Sequence, residues 1–335
     1  MRRVLITGAG GFIGHHVLEH VLARTDWRVV ATDSFRHKGR TDRIAQVLGH
    51  TPKWRGRVQV VMHDLAAPVA SQLAAKIGNV DYVIALASLS HVDDSIRDPV
   101  GFTRNNTDIA LSTLEYARDA CPRHVIWVST DEVYGPVEGG HAHGEWAPIV
   151  PSNPYAASKA AQEALCTAYW RTYQVPVSIV NCMNLIGERQ DPQKYLPTLI
   201  WRIAHGEIVT VHGTPDDIGS RHYLHARNLA DGVVFLLSGR PAVPFPLAGR
   251  PGRYNIAGPD RVTNLELAER VAEILGQELF WQLEDFHTTR PGHDPHYGLD
   301  GALLAGLGWK PPVPFGPSLE KTVLWSRKHP EWLAP

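Results

Sequence analysis

The sequence predicts an α/β chain: a doubly wound parallel sheet with a smaller C-terminal region interleaved with it. Three observations carry this. Strand-like apolar runs alternate with helical segments as far as Asn181, a glycine-rich turn joins the first strand to the first helix, and after Gly187 short apolar pieces separated by Pro and Gly take over. Residues 1–183, with about 214–240, are assigned to the sheet domain, and 184–213 with 241–330 to the second region.

The first strand, Arg3–Thr7, enters Gly8-Ala9-Gly10-Gly11-Phe12-Ile13-Gly14, and the helical spacing of Val17, Leu18, Val21 and Leu22 follows in His15–Ala23. Glycines at 8, 11 and 14 let backbone N–H groups and a helix N-terminus approach a pyrophosphate. A glycine pattern alone is equally a simple turn, but the second strand, Arg28–Thr32, ends in Asp33, at the distance expected for the acid that binds an adenosine ribose. A carboxylate there accepts from a free ribose diol and repels a 2′-phosphate, which points to NAD; Arg36, Lys38 and Arg40 are read as a solvated basic loop.

The third strand, Val58–Met62, leads to His63-Asp64-Leu65, where Asp64 could receive an adenine amine or cap a helix. The fourth, Tyr82–Leu86, leads to Ala87-Ser88 and then a polar loop, Ser88–Ser95, before a helix over Val100–Ala120. His91 and Asp93 in that loop are either loop and cap residues or candidates for chemistry. The fifth strand, His124–Val128, ends in Ser129-Thr130-Asp131-Glu132-Val133-Tyr134-Gly135. Two adjacent carboxylates at a buried strand end are poor for stability alone, but they offer an acid and a base beside one reacting centre.

Beyond Pro136–Pro154, Tyr155 and Lys159 stand four apart on a helix running through Tyr173. They share a face, so the ammonium is expected to lower the phenol's pKa; on its own, the pair also fits an ordinary amphipathic helix. A sixth strand, Val177–Asn181, precedes Cys182. Further on come the short pieces Tyr195-Leu196-Pro197, Ile208–Gly213 and Ala242–Gly252, a helix Asn264–Leu275 capped by Thr263, and a last helix Ser318–Arg327. Lys194, Arg221 and Arg290 lie in otherwise polar loops; taken singly each reads as a solvated cation, but anchoring a diphosphate would require groups of this sort.

The whole chain excludes several classes. With 33 Lys and Arg against 34 Asp and Glu, no global field favours nucleic acid or an anionic membrane. Three cysteines, without metal-ligand spacing, fit a reducing compartment and no disulfide framework. The chain runs at once into a strand-like run, so no leader is expected, and no apolar stretch approaches membrane-spanning length. A soluble cytoplasmic protein without a metal is expected.

Together these motifs resemble the extended short-chain dehydrogenase/reductase family and, within it, the nucleoside-diphosphate-hexose 4,6-dehydratases, typified by dTDP-glucose 4,6-dehydratases. The landmarks are GAGGFIG at 8–14, SHVDDSI at 90–96, STDEVYG at 129–135, NPYAASKAA at 153–161, NCMNLIGERQDPQKYLP at 181–197, SRHYLH at 220–225, YNIAG at 254–258, TNLE at 263–266, RPGHD at 290–294 and LGW at 307–309. The glycine turn and Tyr/Lys pair mark only the superfamily; the Thr-Asp-Glu triplet discriminates, since 4-epimerases usually lack the Asp-Glu pair.

The resemblance implies a Rossmann-type sheet, bound NAD, a nucleotide-sugar substrate, and a homodimer packed through the helices of Val100–Ala120 and Tyr155–Tyr173. It makes Tyr155 the base for the sugar's 4-hydroxyl and Lys159 its partner and a ribose ligand. Thr130 would hydrogen-bond that hydroxyl, Asp131 would be the general acid and Glu132 the general base. Around the cofactor it adds Phe12, Ile13, Ser34 and Leu65, then Leu86, Ala87 and Ser88, and finally Asn106 and Cys182. Ser90 falls on the sugar side, and Asn184, Lys194, Arg221, Asn264 and the Arg290–His293 segment on the nucleotide side.

The implied chemistry is oxidation at C4, elimination of water across C5 and C6, and return of hydride to C6, with no net redox change. Leu89 stands where the family often has Glu, Asp94 where it has Arg, Ile109 where it has Gly, and His212 where it has Tyr. Leu89 and Asp94 bear on the identity of sugar and nucleotide more than on the reaction type. The alternatives are a 4-epimerase, a dehydratase of other regiochemistry, and a non-catalytic NAD-sensing module on the same fold.

Overall fold

The computed structural model describes residues 1–137, 141–239, 249–285 and 294–334. Its centre is a seven-stranded parallel sheet in the order β3-β2-β1-β4-β5-β6-β12. The strands are β1 Arg3–Thr7, β2 Arg28–Asp33, β3 Val58–Met62, β4 Tyr82–Ala85, β5 His124–Thr130, β6 Val177–Cys182 and β12 Gly252–Ile256. Between the first six run α1 Phe12–Arg24, α2 Thr41–His50, α3 Ser71–Ile77, α4 Val92–Arg97, α5 Pro99–Ala120 and α6 Pro154–Tyr173.

Side-chain alternation along each strand splits the core in two. Val4 and Ile6 of β1, Ile84 of β4 and Ile126 of β5 face α1 and the helix α8, Ala226–Ser238. Leu5, Val83, Val125 and Trp127 face the other way, toward α5 and α6. A sheet buried on both faces is what near-continuous apolar strands require.

A third core lies beyond the sheet, where α7 Tyr195–Ala204, α9 Asn264–Leu275 and α11 Phe315–Lys328 bury Leu199, Leu267 and Leu319 against one another. The small strands β7 Leu185–Ile186, β8 Val209–Thr214, β9 Asp217–Ile218, β10 Ser220–His222, β11 Leu224–His225, β13 Arg261–Thr263 and β14 Trp281–Glu284 surround it. Helix α10, Ala302–Gly306, packs Leu304 beneath the large sheet instead.

Several parts of the fold differ from the sequence reading. The loop expected over Ser88–Ser95 contains α4, whose Ser95 is fully buried. Pro197 lies within α7 without ending it, since a first-turn proline lacks only an N–H that would have no partner. Gly252–Ile256, grouped by sequence with the second region, pairs in parallel with β6, from Gly252 beside Ser178 to Ile256 beside Cys182. Such a pairing joins segments far apart in the chain and leaves no local pattern to read. Among the described residues no helix is long and apolar enough to cross a membrane.

Candidate active site

The site is built at the carboxyl ends of β1, β4, β5 and β6, where open α/β sheets bind ligands. After β1 the chain turns at Gly8, where only glycine fits: its φ is +67°, and a Cβ there would stand 3.0 Å from the Ala87 backbone. A Cβ on Gly14 would lie 2.0 Å from the Gly8 carbonyl oxygen. Helix α1 then begins at Gly11 with no side-chain cap, so its first N–H groups remain available to an anion. Phe12 and Ile13 form that first turn, half-buried.

The Thr7 hydroxyl accepts from the backbone N–H groups of Leu86 and Ala87, at 3.0 and 3.1 Å, and so holds the end of β4 against the glycine turn. Asp33 accepts from Gly10 N and Phe35 N, both at 2.9 Å. Ser34 and Ser88 are half-buried at the ends of their strands, and Leu65 is buried. Asp64 begins no helix: it accepts from Ala66 N and pairs with Arg36 at 2.9 Å. Each cation of the basic loop has an anionic partner, Arg36 with Asp64, Lys38 with Asp191 and Arg40 with Asp42. A pyrophosphate cradle, an acid for a ribose diol and cations already paired fit NAD.

β5 delivers Ser129 and Thr130 into a tight helical turn, Asp131–Tyr134, which closes at Gly135 with φ +79°. Thr130 Oγ1 donates to Asp131 Oδ1 at 2.9 Å and accepts from Glu132 N at 3.3 Å. Asp131 is buried, and its Oδ2 has no hydrogen-bond partner among the described residues. Burial, followed by the neighbouring Glu132, raises its carboxyl to about 7. Glu132, partly exposed, is raised by burial too, but Asn153 Nδ2 donates to its Oε2 at 3.2 Å and opposes the rise.

α6 starts beside this turn. Asn153 caps it by accepting from Ala156 N at 2.9 Å, and Tyr155 N donates to Ser95 Oγ at 3.1 Å, so α4 braces the helix start. The expected depression of Tyr155 by Lys159 is not found. Lys159 Nζ instead donates to Val128 O and Gln162 Oε1, each at 2.9 Å, and burial lowers the ammonium to about 8. Tyr155 is pushed well above 10, first by burial and then by Glu132, while a hydrogen bond with Thr130 works in the opposite direction. Helical spacing fixes the face of two side chains but not where a long one ends, and Lys159 ends under β5.

Asn106 of α5 holds the 86–90 loop, accepting from Leu89 N at 2.8 Å and donating to Leu89 O and Ser158 Oγ. Cys182 Sγ donates to Ser129 O, and burial lifts its thiol to about 12. Among the residues expected to face the substrate, Lys194 Nζ donates to Ser90 O at 3.2 Å. Asn264 Nδ2 donates to His212 O, and the Asn184 carbonyl accepts from Leu224 N. Arg221 lies on β10, not in a loop, and its buried guanidinium donates to the carbonyls of Ser220, Asp294 and Pro295. Arg290 and His293 lie outside the described residues.

Sequence reasoning missed the layer beneath the carboxylates. Glu163 accepts from Arg253 at 2.7 Å and from Asn181 Nδ2 at 2.7 Å, and Asn181 also donates to Thr130 O. Tyr134 closes the group on Asn181. The only sequence signal was Glu163 standing one helical turn after Lys159.

The NAD dependent epimerase/dehydratase family matches residues 4–257. A dTDP-glucose 4,6-dehydratase of Streptomyces griseus is 33% identical over 99% of this chain and 96% of the relative. Among solved structures, DesIV, a dTDP-glucose 4,6-dehydratase of Streptomyces venezuelae with NAD and TYD bound, superposes with a TM-score of 0.86 at 33% identity, covering 99% of each chain. The UDP-glucose 4-epimerase of Thermus thermophilus in complex with NAD gives 0.82 at 29% identity, covering 97% of this chain and 99% of that one. With this match across the sheet and the site it carries, the chain belongs to the NAD dependent epimerase/dehydratase family.

Proposed function

We propose that the protein is an NAD-dependent nucleoside-diphosphate-hexose 4,6-dehydratase, acting on a dTDP- or UDP-linked glucose-type sugar and releasing the 4-keto-6-deoxy sugar. The observation that carries this reading is a pair of adjacent carboxyls in unlike surroundings beside a half-buried tyrosine: Asp131, raised to about 7, and Glu132, held by an amide donor. An acid and a base are needed together to remove water, and environments that push two pKa values apart assign the roles.

When bound, NAD would supply the hydride acceptor for C4 and the donor for C6, and its cationic ring would favour a phenolate at Tyr155. Tyr155 removes the O4 proton, with Thr130 holding the hydroxyl. The 4-ketone acidifies the C5 hydrogen; Glu132 takes that proton while Asp131 gives its own to the departing 6-hydroxyl, and a proton later returns to C5. Lys159, tied to Val128 O, serves as ribose ligand. Gly8, Gly11 and Gly14 with the N-terminus of α1 cradle the pyrophosphate, and Asp33 holds the ribose. Asn184, Lys194, Arg221 and Asn264, with Arg290 and His293, line the nucleotide side.

The 4-epimerase reading draws on the Thermus thermophilus structure, but simple epimerisation at C4 gives no work to Asp131 and Glu132. Free thiols at Cys121, Cys166 and Cys182 support a reducing, cytoplasmic location. The homodimer reading is supported by Val100, Leu111 and Tyr173, exposed apolar side chains on α5 and α6. Incubation with a panel of nucleotide sugars, followed by mass measurement, tests the function. Loss of one water from a dTDP- or UDP-hexose is expected, and products of unchanged mass throughout would refute it.

A further inference from the structure

We propose that Asn153 is a positioning residue that makes Glu132, and not Asp131, the base: one end of its side chain caps α6 while the other holds the Glu132 carboxylate. The inference rests on the dehydratase reading of Glu132.

Asn153 is buried, with its Oδ1 accepting from Ala156 N and its Nδ2 donating to Glu132 Oε2. An amide N–H stabilises an ionised carboxylate and offers nothing comparable to a protonated one. Asp131 accepts the Thr130 hydroxyl at Oδ1, but it is buried and its Oδ2 has no partner among the described residues, so burial outweighs that bond and suits a neutral acid. The same amide therefore distinguishes the two carboxyls and fixes Glu132 relative to Tyr155, which begins the helix that Asn153 caps. Among the described residues, the charged and titratable groups facing Glu132 are Asp131 in its own turn, Tyr155 of α6, Lys194 at the head of α7, Arg221 of β10, and Asp294 and Tyr297. Of the donors among the described residues, Asn153 joins the acid–base turn directly to the helix of the tyrosine.

Two variants separate capping from positioning. Asn153→Ser keeps an N-cap oxygen but is too short to reach Glu132, and Asn153→Asp keeps the cap while setting a carboxylate against it. With dTDP-glucose and the NAD-loaded protein, reduced-cofactor absorbance should appear at close to the wild-type rate in Asn153→Ser. Elimination, followed by deuterium uptake at C5, should slow about ten- to hundredfold, the worth of one hydrogen bond to a charged group. The acidic limb of elimination should move to higher pH in Asn153→Ser and further in Asn153→Asp. Equal slowing of both steps would reduce Asn153 to a helix cap and overturn the proposal, as would an unmoved pH limb. The titration of Glu132 by carbon NMR, which needs no turnover, should likewise move upward in both variants. An unmoved midpoint overturns the proposal even if dTDP-glucose proves inert, whereas an inert wild type with a shifted midpoint tells against the dehydratase reading alone.

Discussion

Asp131 and Glu132 are neighbours in the chain but not in environment. Tyr155→Phe should abolish reduced-cofactor absorbance on mixing with substrate, whereas Glu132→Gln should still reduce the cofactor and then stall; each should lose roughly 10²–10⁴ in overall rate. A Glu132→Gln variant turning over at the native rate would remove the base from this account. Because Asp131 must carry a proton to donate it, elimination should fall as pH rises through about 7. The same group bears on stability. Its folded pKa lies above its unfolded value of 3.8, so its favourable contribution is complete below 3.8 and is lost as pH rises toward about 7. Asp131→Asn should therefore raise the melting temperature more at pH 8 than at pH 5, read by calorimetry. The identities of these side chains were legible in the sequence because Thr130, Asp131 and Glu132 are consecutive. The destination of Lys159 and the reach of Asn153 were not, since both depend on which backbone the sheet brings beneath them.

At the scale of elements, the strand and glycine turn of β1–α1 were legible to the residue and the helix to within three residues of its start, because local geometry dictates them. A Cβ at Gly14 has no room beside the Gly8 carbonyl, so Gly14→Ala should cost about 1–3 kcal/mol and release NAD, measured as lower melting temperature and cofactor lost on gel filtration. β12 was illegible as a sheet member because its partner, β6, lies about seventy residues earlier. The tie that seats it is the Arg253–Glu163 ion pair, almost fully buried at both ends. Removing one partner strands the other, so Arg253→Ala should cost about 3–5 kcal/mol in urea unfolding and loosen the turn that carries Thr130. An unchanged midpoint would show that the pair is dispensable.

Across the whole molecule, the sheet's two buried faces and the separate core of α7, α9 and α11 flank the carboxyl ends of the strands, where the carboxylates sit. The doubly wound half could be read from alternating periodicity. The second half could not be drawn from sequence, because the short strands described there carry too few residues to show a period and pair across long intervals. The central claim is that this site eliminates water rather than inverting C4. Turnover of dTDP-glucose in deuterium oxide, with the product examined by NMR, tests it most directly. A 4-keto-6-deoxy sugar carrying solvent deuterium at C5 is the predicted result, and a C4 epimer of unchanged mass with hydrogen retained at C5 would contradict it.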